Sequence, residues 1–470
     1  MDLLTIPLKA SSPTPLYRQL YSYLREEILT GRLASGDRLP SKRQLSGQLG
    51  ISQNTVIAAY EQLVEEGYLL VKPQSGYYVC QLDKLPEPVF VPPAMEKPTQ
   101  CADNLYDFTP HGVDQACFPF STWRRLYREV ITETERTLMS AGDPQGEYAL
   151  RAAIAAYLHR SRGVVCTPEQ IIISSGTEFL FQLLIQILPS DCLYALENPG
   201  YAKLGRLFFG CRAAFAAVDL DRYGIRPDLL RKSGAAVACI TPSHQFPTGA
   251  IMPVRRRTEL LHWAAEQPER YLIEDDYDSE FKHEGRSIPA LQGMDTRHRV
   301  IYMGTFSKSI SSAMRVSYMV LPIPLLTVYQ KRLTFYHCPV PLLEQLVLCR
   351  FMENGSFERH LNRMRVLYRK KHDVLLEELR RQLPKAEILD ANAGLHLLLR
   401  LPGPLSAEAI VQRGEKHAVK LYSLTDCFLS PSAQTYPAGG AAWLLLGYAQ
   451  IPLDRLPDAV RLLRRIIENG

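Results

Sequence analysis

Lys308 is the residue in this chain whose neighbours best suit covalent chemistry. It follows a β-branched and aromatic run at residues 300–302, lies between Ser307 and Ser309, and precedes a second apolar run at residues 316–321. An amine held between two apolar segments loses hydration of its charged form, so we expect its pKa to fall. A free amine can form a Schiff base with an aldehyde. A surface lysine in a loop is the alternative that this segment alone leaves open.

Four acidic side chains surround a tyrosine at the end of another apolar run, where YLI at 271–273 leads into EDDYD at 274–278. Crowded carboxylates repel one another unless a cation lies nearby. Pyridoxal phosphate (PLP), the commonest aldehyde on a lysine, supplies such a cation when an aspartate keeps its ring nitrogen protonated. A solvated acidic loop and a metal site are the alternatives. We predict no metal, because histidines at suitable spacing are missing, although His283 follows.

Three other polar segments come directly after apolar runs. SSGTE at 174–178 opens a helix, where backbone amides and a glycine suit a phosphate. A plain strand-to-helix turn without a ligand is the alternative that fits the same residues. ENPGY at 197–201 places Tyr201 where it could cover a cofactor ring. TPSHQFPTG at 241–249 is a further polar segment that directly follows a predicted strand. Arg315 lies seven residues beyond Lys308, so its guanidinium can reach the same anion.

Alternating strands and helices from about Gly142 would position these segments. Short apolar runs separated by helical segments predict a mostly parallel α/β sheet. Strands are predicted at 170–175, 192–196, 235–240, 271–273, 300–303 and 316–321, and helices at 150–158 and 178–188. Ligands in such sheets bind at the carboxyl ends of the strands, which is where the polar segments fall.

The N-terminal residues predict a winged helix-turn-helix. Helical spacing indicates a first helix opened by Thr14 as N-cap and Pro15 as first helical residue, a second from Ser41, and a third capped by Ser52. Two short strands at 68–71 and 77–81 would form the wing.

Polar residues in this region are placed to contact DNA. Basic residues gather at the start of the second helix, whose N-terminus favours a phosphate: Arg38, Lys42 and Arg43. The first turn of the third helix would meet base edges in the major groove, and it holds Ser52, Gln53, Asn54 and Thr55. A small helical bundle with a solvated basic face is the alternative.

Composition limits the class of protein. The chain has 470 residues, of which 22% are charged and 46% apolar, with a net charge of +5, as in ordinary globular proteins. Ten scattered cysteines indicate reduced thiols in a cytosolic protein, and neither a membrane-spanning run nor an export signal is found. Five prolines in residues 82–109 predict a stiff tether between domains at 1–81 and 110–470.

Residues 15–79 resemble the DNA-binding domain of the GntR family of bacterial repressors. The likeness is carried by GDRLPSxRxL from position 36 and by VxxAYxxLxxxGY from position 56. The resemblance implies DNA contacts from Arg43, Ser52, Gln53, Asn54 and the wing glycine Gly76, with Arg38 as a further candidate.

Residues 107–469 resemble fold-type I PLP-dependent aminotransferases, through GDPxG, SSGT, ENPGY, PSHQFPTG, EDDYD, FSK and GxH. The resemblance implies that Lys308 binds PLP as a Schiff base, Asp275 pairs with the pyridine nitrogen, Tyr277 with the ring oxygen, and Tyr201 stacks on the ring. It also implies a set of phosphate contacts: Gly176, Thr177, Thr305, Ser307 and Arg315.

This half departs from true aminotransferases at three positions. Phe246 replaces the asparagine of their NPTG motif, and Ala141 precedes GDP where tyrosine is frequent. The C-terminal strand at 443–448 lacks the arginine that commonly binds the substrate carboxylate; Lys203 could substitute for it in binding an effector. These changes argue against fast transamination of an ordinary α-amino acid.

A GntR-type DNA-binding domain joined to an aminotransferase-like domain resembles the MocR/GabR subfamily of transcription regulators. We therefore predict a winged helix-turn-helix plus a fold-type I α/β domain with a smaller α+β C-terminal subdomain. The expected function is a cytoplasmic, nucleoid-associated regulator and not an enzyme, although a transaminase half-reaction could remain. It would bind a double-stranded DNA operator as a head-to-tail homodimer and sense a small amine, an amino acid or PLP itself through Lys308.

Two other functions stay open at this point. One is an active aminotransferase that carries a DNA-binding appendage. The other is a DNA-binding protein whose second domain has lost its cofactor and serves only for dimerisation.

Overall fold

The computed structural model describes residues 6–9, 12–82, 105–134, 137–283, 288–389, 393–430 and 441–468. The chain divides into two compact units, Met1–Thr99 and Gln100–Gly470, and each has its own hydrophobic core. Most of the tether predicted at 82–109 lies outside the described residues, which resume at Leu105. No helix among these ranges combines the length and apolar character needed to cross a membrane.

The N-terminal unit consists of a helical core followed by a two-stranded antiparallel wing. Its elements are α1 (Leu16–Leu29), α2 (Lys42–Leu49), α3 (Gln53–Glu65), β1 (Leu69–Lys72) and β2 (Gly76–Val79). The apolar faces of the helices meet in a core that includes the fully buried Leu20, Leu24, Val56, Tyr60 and Leu63. This is the winged helix-turn-helix that the sequence predicts.

Hydroxyl caps fix where α2 and α3 begin. Ser41 Oγ accepts a hydrogen bond from the Gln44 amide at 3.2 Å, and the Ser41 amide donates to Gln44 Oε1 at 3.0 Å, which completes a capping box. Ser52 Oγ accepts from the Thr55 amide at 3.2 Å. Both starts are those expected from the sequence.

The start of α1 differs from the prediction. The helix begins at Leu16, so Pro15 occupies the cap position and Thr14 does not cap it. The reason is that Pro15 has an extended ψ of 144° and is not itself helical. The side chain of Gln19 donates to the Thr14 carbonyl at 2.6 Å and holds the incoming chain against the helix.

The C-terminal unit alternates strands and helices. Its first part contains β3 (Tyr106–Asp107), α4 (Phe120–Thr134), α5 (Tyr148–Arg162), β4 (Ile171–Ser174), α6 (Thr177–Ile187), β5 (Tyr194–Asn198), α7 (Ala202–Gly210), β6 (Phe215–Asp221), β7 (Gly224–Ile225), α8 (Pro227–Ser233), β8 (Val237–Ile240) and α9 (Val254–Ala265). Its second part contains β9 (Tyr271–Asp276), β10 (Val300–Thr305), β11 (Ser317–Val320), α10 (Ile323–Arg332), α11 (Leu342–Glu353), α12 (Ser356–Gln382), β12 (Glu387–Leu389), β13 (His396–Pro402), α13 (Ala407–Lys416), β14 (Val419–Lys420), β15 (Tyr422–Ser423), β16 (Ala441–Gly447) and α14 (Leu456–Glu468).

Within the described ranges, eight of these strands form one sheet in the order β4-β11-β10-β9-β8-β5-β6-β7. Only β11 and the edge strand β7 run against the others, so the mostly parallel sheet is confirmed. The sequence did not predict β6, because most of its positions are only partly buried and its pattern is not a continuous apolar run.

Alternate residues of the strands face two different layers. Ile171 and Ile173 of β4 pack in a cluster that includes Ile154 of α5, whereas Ile172 packs in a cluster that includes Leu180 of α6. Because side chains alternate across a strand, helices must cover both faces of the sheet.

A smaller C-terminal subdomain follows the long helix α12. There, β12, β13, β16 and β15 form an antiparallel sheet among the described residues, and α14 packs against α12 and α13. Leu399, Leu444 and Leu463 are fully buried in the core of this subdomain. The α+β subdomain expected from the sequence is therefore present.

Candidate functional site

A cavity of about 200 Å³ opens where the loops after β4, β9 and β10 meet. Its lining includes these residues proposed from the sequence: Thr177, Tyr201, Lys203, Asp275, Tyr277, Thr305, Ser307, Lys308 and Arg315. It also includes residues that the sequence analysis did not propose as contacts: His111, Glu178, Thr241, Phe246, Ser312 and Ser317. The carboxyl ends of the strands thus bring the predicted residues together at one end of the sheet.

Lys308 lies in the turn after β10 and is only 8% exposed. Its Nζ donates to the Pro110 carbonyl at 3.3 Å. Burial lowers the pKa of Lys308 to about 8, against the smaller opposing effect of the Asp278 charge. The direction is the one predicted from the apolar runs on either side, and it brings the amine close to its reactive neutral form at neutral pH.

Asp275 presents an unsatisfied carboxylate to the same cavity. The residue is partly buried, but its Oδ1 is shielded from solvent and has no hydrogen-bond partner among the described residues. Burial, followed by the charges of Asp276 and Asp278, raises its pKa to about 7. A buried acceptor of this kind requires a donor. A protonated pyridine nitrogen would supply that donor, so the residue fits the cofactor.

The other three acids of this segment, two at the end of β9 and one just after it, do not share that cation, contrary to the expectation from their spacing. Glu274 accepts two backbone amides of the following loop, at 2.8 and 2.9 Å. Asp276 forms a buried ion pair with Arg162 at 2.8 Å, and Asp278 pairs with His244 at 3.0 Å. Side chains alternate along a strand, so Asp275 points to one face of the sheet while Glu274 and Asp276, two residues apart, point to the other and find separate partners there.

Tyr277 is held by a network that the sequence did not reveal. Its hydroxyl lies 3.0 Å from His244 Nδ1, which also contacts both Asp278 oxygens. His396 packs against His244 with ring centroids 4.9 Å apart, and ligand-type atoms of His244, Asp278 and His396 lie within 4.8 Å of one another. The argument that histidines are missing near the acids was therefore wrong, because these two come from distant parts of the chain.

The opposite end of the cavity is built to hold an anion. Gly176 precedes α6 with a φ of +107°, and Arg315 has a φ of +50°, which brings its Nη2 over that glycine. An L side chain would be strained at this φ, which favours glycine at position 176, and a Cβ there would also lie 2.2 Å from Nη2 and displace the guanidinium. The backbone amides that begin α6 together with this guanidinium suit a phosphate. Glu178 also pairs with Arg315, at 2.8 Å.

The hydroxyls near this end serve different roles. Thr305 Oγ1 accepts from the Ser307 amide at 3.1 Å and from Ser317 Oγ at 2.8 Å, so it also organises the turn. Within the described part of the chain, the hydroxyls of Thr177 and Ser307 make no such internal bond. Together with that of Ser312, which also lines the cavity, they stay available to a ligand.

Aromatic rings form the remaining wall. His111 stacks on Phe246 with centroids 5.0 Å apart and meets Tyr201 edge-on at 5.5 Å. Burial, and then the charges of Lys308 and Lys203, lower the pKa of His111 to about 3. Sequence reasoning missed His111 because it lies in no recognisable motif and reaches the cavity only through the fold.

The basic candidates in the N-terminal unit gather beside the wing. The Arg38 Nε lies 3.5 Å from where a Cβ on Gly76 would be. Lys42 Nζ lies 5.3 Å from the ring centroid of Tyr77 in β2, and Arg43 is exposed on the first turn of α2. Arg38, Lys42 and Gly76, which are separate in sequence, are therefore brought together by the hairpin.

The first turn of α3 divides into two kinds of residue. The hydroxyls of Ser52 and Thr55 lie 2.9 Å apart and take part in the helix cap. Gln53 and Asn54 are exposed on the same turn. The amide side chains can therefore meet bases while the hydroxyls hold the helix end.

The fold and the site define a class: a winged helix-turn-helix joined to an aminotransferase-type α/β body. Residues 16–79 match the family described as bacterial regulatory proteins, gntR family, and residues 113–426 match aminotransferase class I and II. The chain belongs to the MocR/GabR subfamily of GntR-family transcription regulators. Proteins of the aminotransferase class depend on PLP.

Two regulators match this chain over nearly their whole length, and an aminotransferase matches most of it. The HTH-type transcriptional regulator YhdI of Bacillus subtilis is 41% identical over 468 residues, 97% of each chain. The MocR regulatory protein of Rhizobium meliloti is 33% identical and covers 97% of this chain and 94% of its own. The structure of LysN, an α-aminoadipate aminotransferase of Thermus thermophilus complexed with N-(5'-phosphopyridoxyl)-L-leucine, has a TM-score of 0.67 and 26% identity over 77% of this chain and 92% of LysN.

Proposed function

We propose that this transcription regulator binds PLP at Lys308 and senses a small amine, an amino acid or PLP itself there. One observation carries the proposal. A single cavity joins a buried amine with a lowered pKa, the unsatisfied carboxylate of Asp275 and the anion site between α6 and Arg315. These three features match the aldehyde, the ring nitrogen and the phosphate of one molecule.

Each residue has a separate task in this site. The Lys308 amine forms the covalent bond, because its neutral form is accessible near neutral pH. Asp275 holds a proton on the ring nitrogen, and Tyr277, oriented by His244, donates to the ring oxygen. Bound PLP supplies an electron sink for chemistry at an amine. Tyr201 packs against the ring, and Lys203 stands at the cavity rim where an effector would enter.

The N-terminal unit supplies the DNA contacts. We assign backbone phosphates to Arg38, Lys42 and Arg43, and base edges to the first turn of α3. The proposed division is a DNA-binding domain at 1–81, a proline-rich linker at 82–109 and an effector-binding and dimerisation domain at 110–470. A homodimer, head-to-tail and cytoplasmic, would present two DNA-binding domains to paired half-sites of an operator.

An active aminotransferase is the second candidate, because Lys308, Asp275 and Tyr277 are all in place. Regulation is favoured over turnover by Phe246 in the cavity wall and by strand β16, which carries no arginine for a substrate carboxylate. Repeated turnover with an amino acid and a keto acid would support the enzyme, whereas one stoichiometric conversion supports the sensor.

The test is a covalent adduct at one lysine. Wild-type protein incubated with PLP should gain visible absorbance, and borohydride should fix on Lys308 a label that survives desalting. Lys308→Ala should lose both signals, because Lys308 is the buried amine among the described residues that line the cavity. Lys203→Ala, which removes the exposed lysine of the same cavity, should keep them. A label that persists in Lys308→Ala would overturn the proposal.

A further inference from the structure

Glu178 places a carboxylate inside the anion site that the proposed function assigns to the cofactor phosphate. Its Oε2 lies 2.8 Å from Arg315 Nη2, and both side chains line the cavity. A Cβ built on Gly176 would lie 3.0 Å from that oxygen and 2.2 Å from that nitrogen. The ion pair therefore lies directly over the glycine, where the backbone leaves room for an anion.

The features that suit a phosphate also stabilise this carboxylate. Glu178 is the second residue of α6, an 11-residue helix whose N-terminus favours negative charge. Among the described residues, Arg315 makes no other ion pair. The protein's own side chain thus occupies the guanidinium that an incoming phosphate needs.

The charge of Glu178 is also felt elsewhere in the cavity. Burial raises the pKa of Tyr201 to about 12, and the charge of Glu178 contributes to the same shift. A phosphate dianion entering this space must break the Glu178–Arg315 pair or lie close to a like charge. Either event opposes binding of the phosphate.

We propose that Glu178 is an internal competitor that weakens the hold of this chain on a phosphorylated cofactor. PLP is then an exchangeable ligand, and the occupied fraction of the site follows its free concentration. This inference rests on the proposed binding of PLP at Lys308. It assigns Glu178 to the control of affinity and not to chemistry at the amine.

The test compares two ligands on one variant. In Glu178→Gln, which keeps the length of the side chain, the dissociation constant for PLP should fall about three- to tenfold, the range expected from loss of a half-exposed ion pair and a like charge. The dissociation constant for pyridoxal, which lacks the phosphate, should not change. Glu133→Gln is the matched control, because Glu133 forms a comparably exposed pair with Arg350 at 2.7 Å, and it should leave both constants unchanged.

A second variant separates charge from shape. Glu178→Asp keeps the negative charge, so its PLP affinity should stay close to that of the wild type. Unchanged or weaker PLP binding by Glu178→Gln, an equal gain for pyridoxal, or the same gain in Glu178→Asp would each overturn the inference. Failure of the proposed function looks different, since no borohydride-stable adduct would then form at Lys308 in any of these proteins.

Discussion

The carboxylate of Asp275 illustrates how a residue that suits a ligand is costly to the empty protein. Its Oδ1 is enclosed without a donor, and its pKa is raised to about 7. The folded protein therefore binds a proton that the unfolded chain, with an ordinary aspartate pKa of 3.8, has already released. Stability from this group is present below pH 4 and is lost as pH rises toward 7.

Asp275→Asn should therefore stabilise the cofactor-free protein at alkaline pH. We expect the gain in unfolding free energy to be larger at pH 8 than at pH 5 by about 2 kcal/mol, because the wild type carries the buried charge only at the higher pH. Urea unfolding followed by tryptophan fluorescence measures it, since Trp123, Trp263 and Trp443 all lie in the C-terminal unit.

The exposed Asp191 provides the control for that measurement. Asp191→Asn should show no such difference between the two pH values. Equal gains for Asp275→Asn at pH 5 and pH 8 would contradict the assignment of a raised pKa to this carboxyl.

At the scale of elements, helix N-termini position the proposed ligand-binding residues in both units. The start of α6 faces the cavity, while α2 and α3 begin at Ser41 and Ser52 beside the proposed DNA contacts. Each start leaves backbone amides unsatisfied unless a side chain or an anion accepts them. The caps of α2 and α3 are similar in geometry, and only that of α3 lies on the proposed base-reading turn.

Ser41→Ala and Ser52→Ala should each destabilise the N-terminal unit by about 1 kcal/mol through loss of a cap. Hydrogen exchange of the α2 and α3 amides measures this loss. At a temperature where both variants remain folded, only Ser52→Ala should also weaken operator binding, measured by fluorescence anisotropy.

Ser52→Asp distinguishes the two roles of that residue. An aspartate still caps the helix, so hydrogen exchange should return to the wild-type pattern, while its charge should keep operator binding weak. Weakening of operator binding by Ser41→Ala to the same extent as by Ser52→Ala would count against a specific role for the α3 turn.

At the scale of the whole molecule, the proposed DNA contacts and the proposed PLP site lie in separate compact units. The residues that carry each task lie within one unit, with the described cavity entirely in Gln100–Gly470. A ligand can influence DNA binding only through a difference in its affinity for two states of the protein. The two tasks should therefore be separable by mutation.

Arg43→Ala and Lys308→Ala should each impair one activity, operator binding and ligand binding respectively, and spare the other. Arg43→Ala should weaken operator binding by about 1–3 kcal/mol and keep the covalent PLP adduct. Lys308→Ala should bind the operator as the ligand-free wild type does, and should lose the change in affinity that PLP or an amine produces. Anisotropy titrations with and without ligand measure both. Loss of ligand-free operator binding in Lys308→Ala would show that the lysine has a structural role as well.

Local sequence patterns determined the fold class of each unit and where several helices begin. Lys308 between two apolar runs, the hydroxyls before α2 and α3, and the polar segments after strands were sufficient to predict a winged helix-turn-helix and a mostly parallel α/β sheet. These signals are local because caps, strand periodicity and turns depend on residues only a few positions apart. The resemblance to known families supplied most of the residues around the cavity.

Tertiary structure alone decided which of these residues face one another. The pairing of Glu178 with Arg315 joins residues 137 positions apart, and His244 meets Asp278 across 34. The spacing of the four acids at residues 274–278 could not show that, among the described residues, only Asp275 of the four has no hydrogen-bond partner. Strand order and the direction of each side chain at a strand end determine these contacts, and both are set by the packing of the whole sheet rather than by neighbours in the chain.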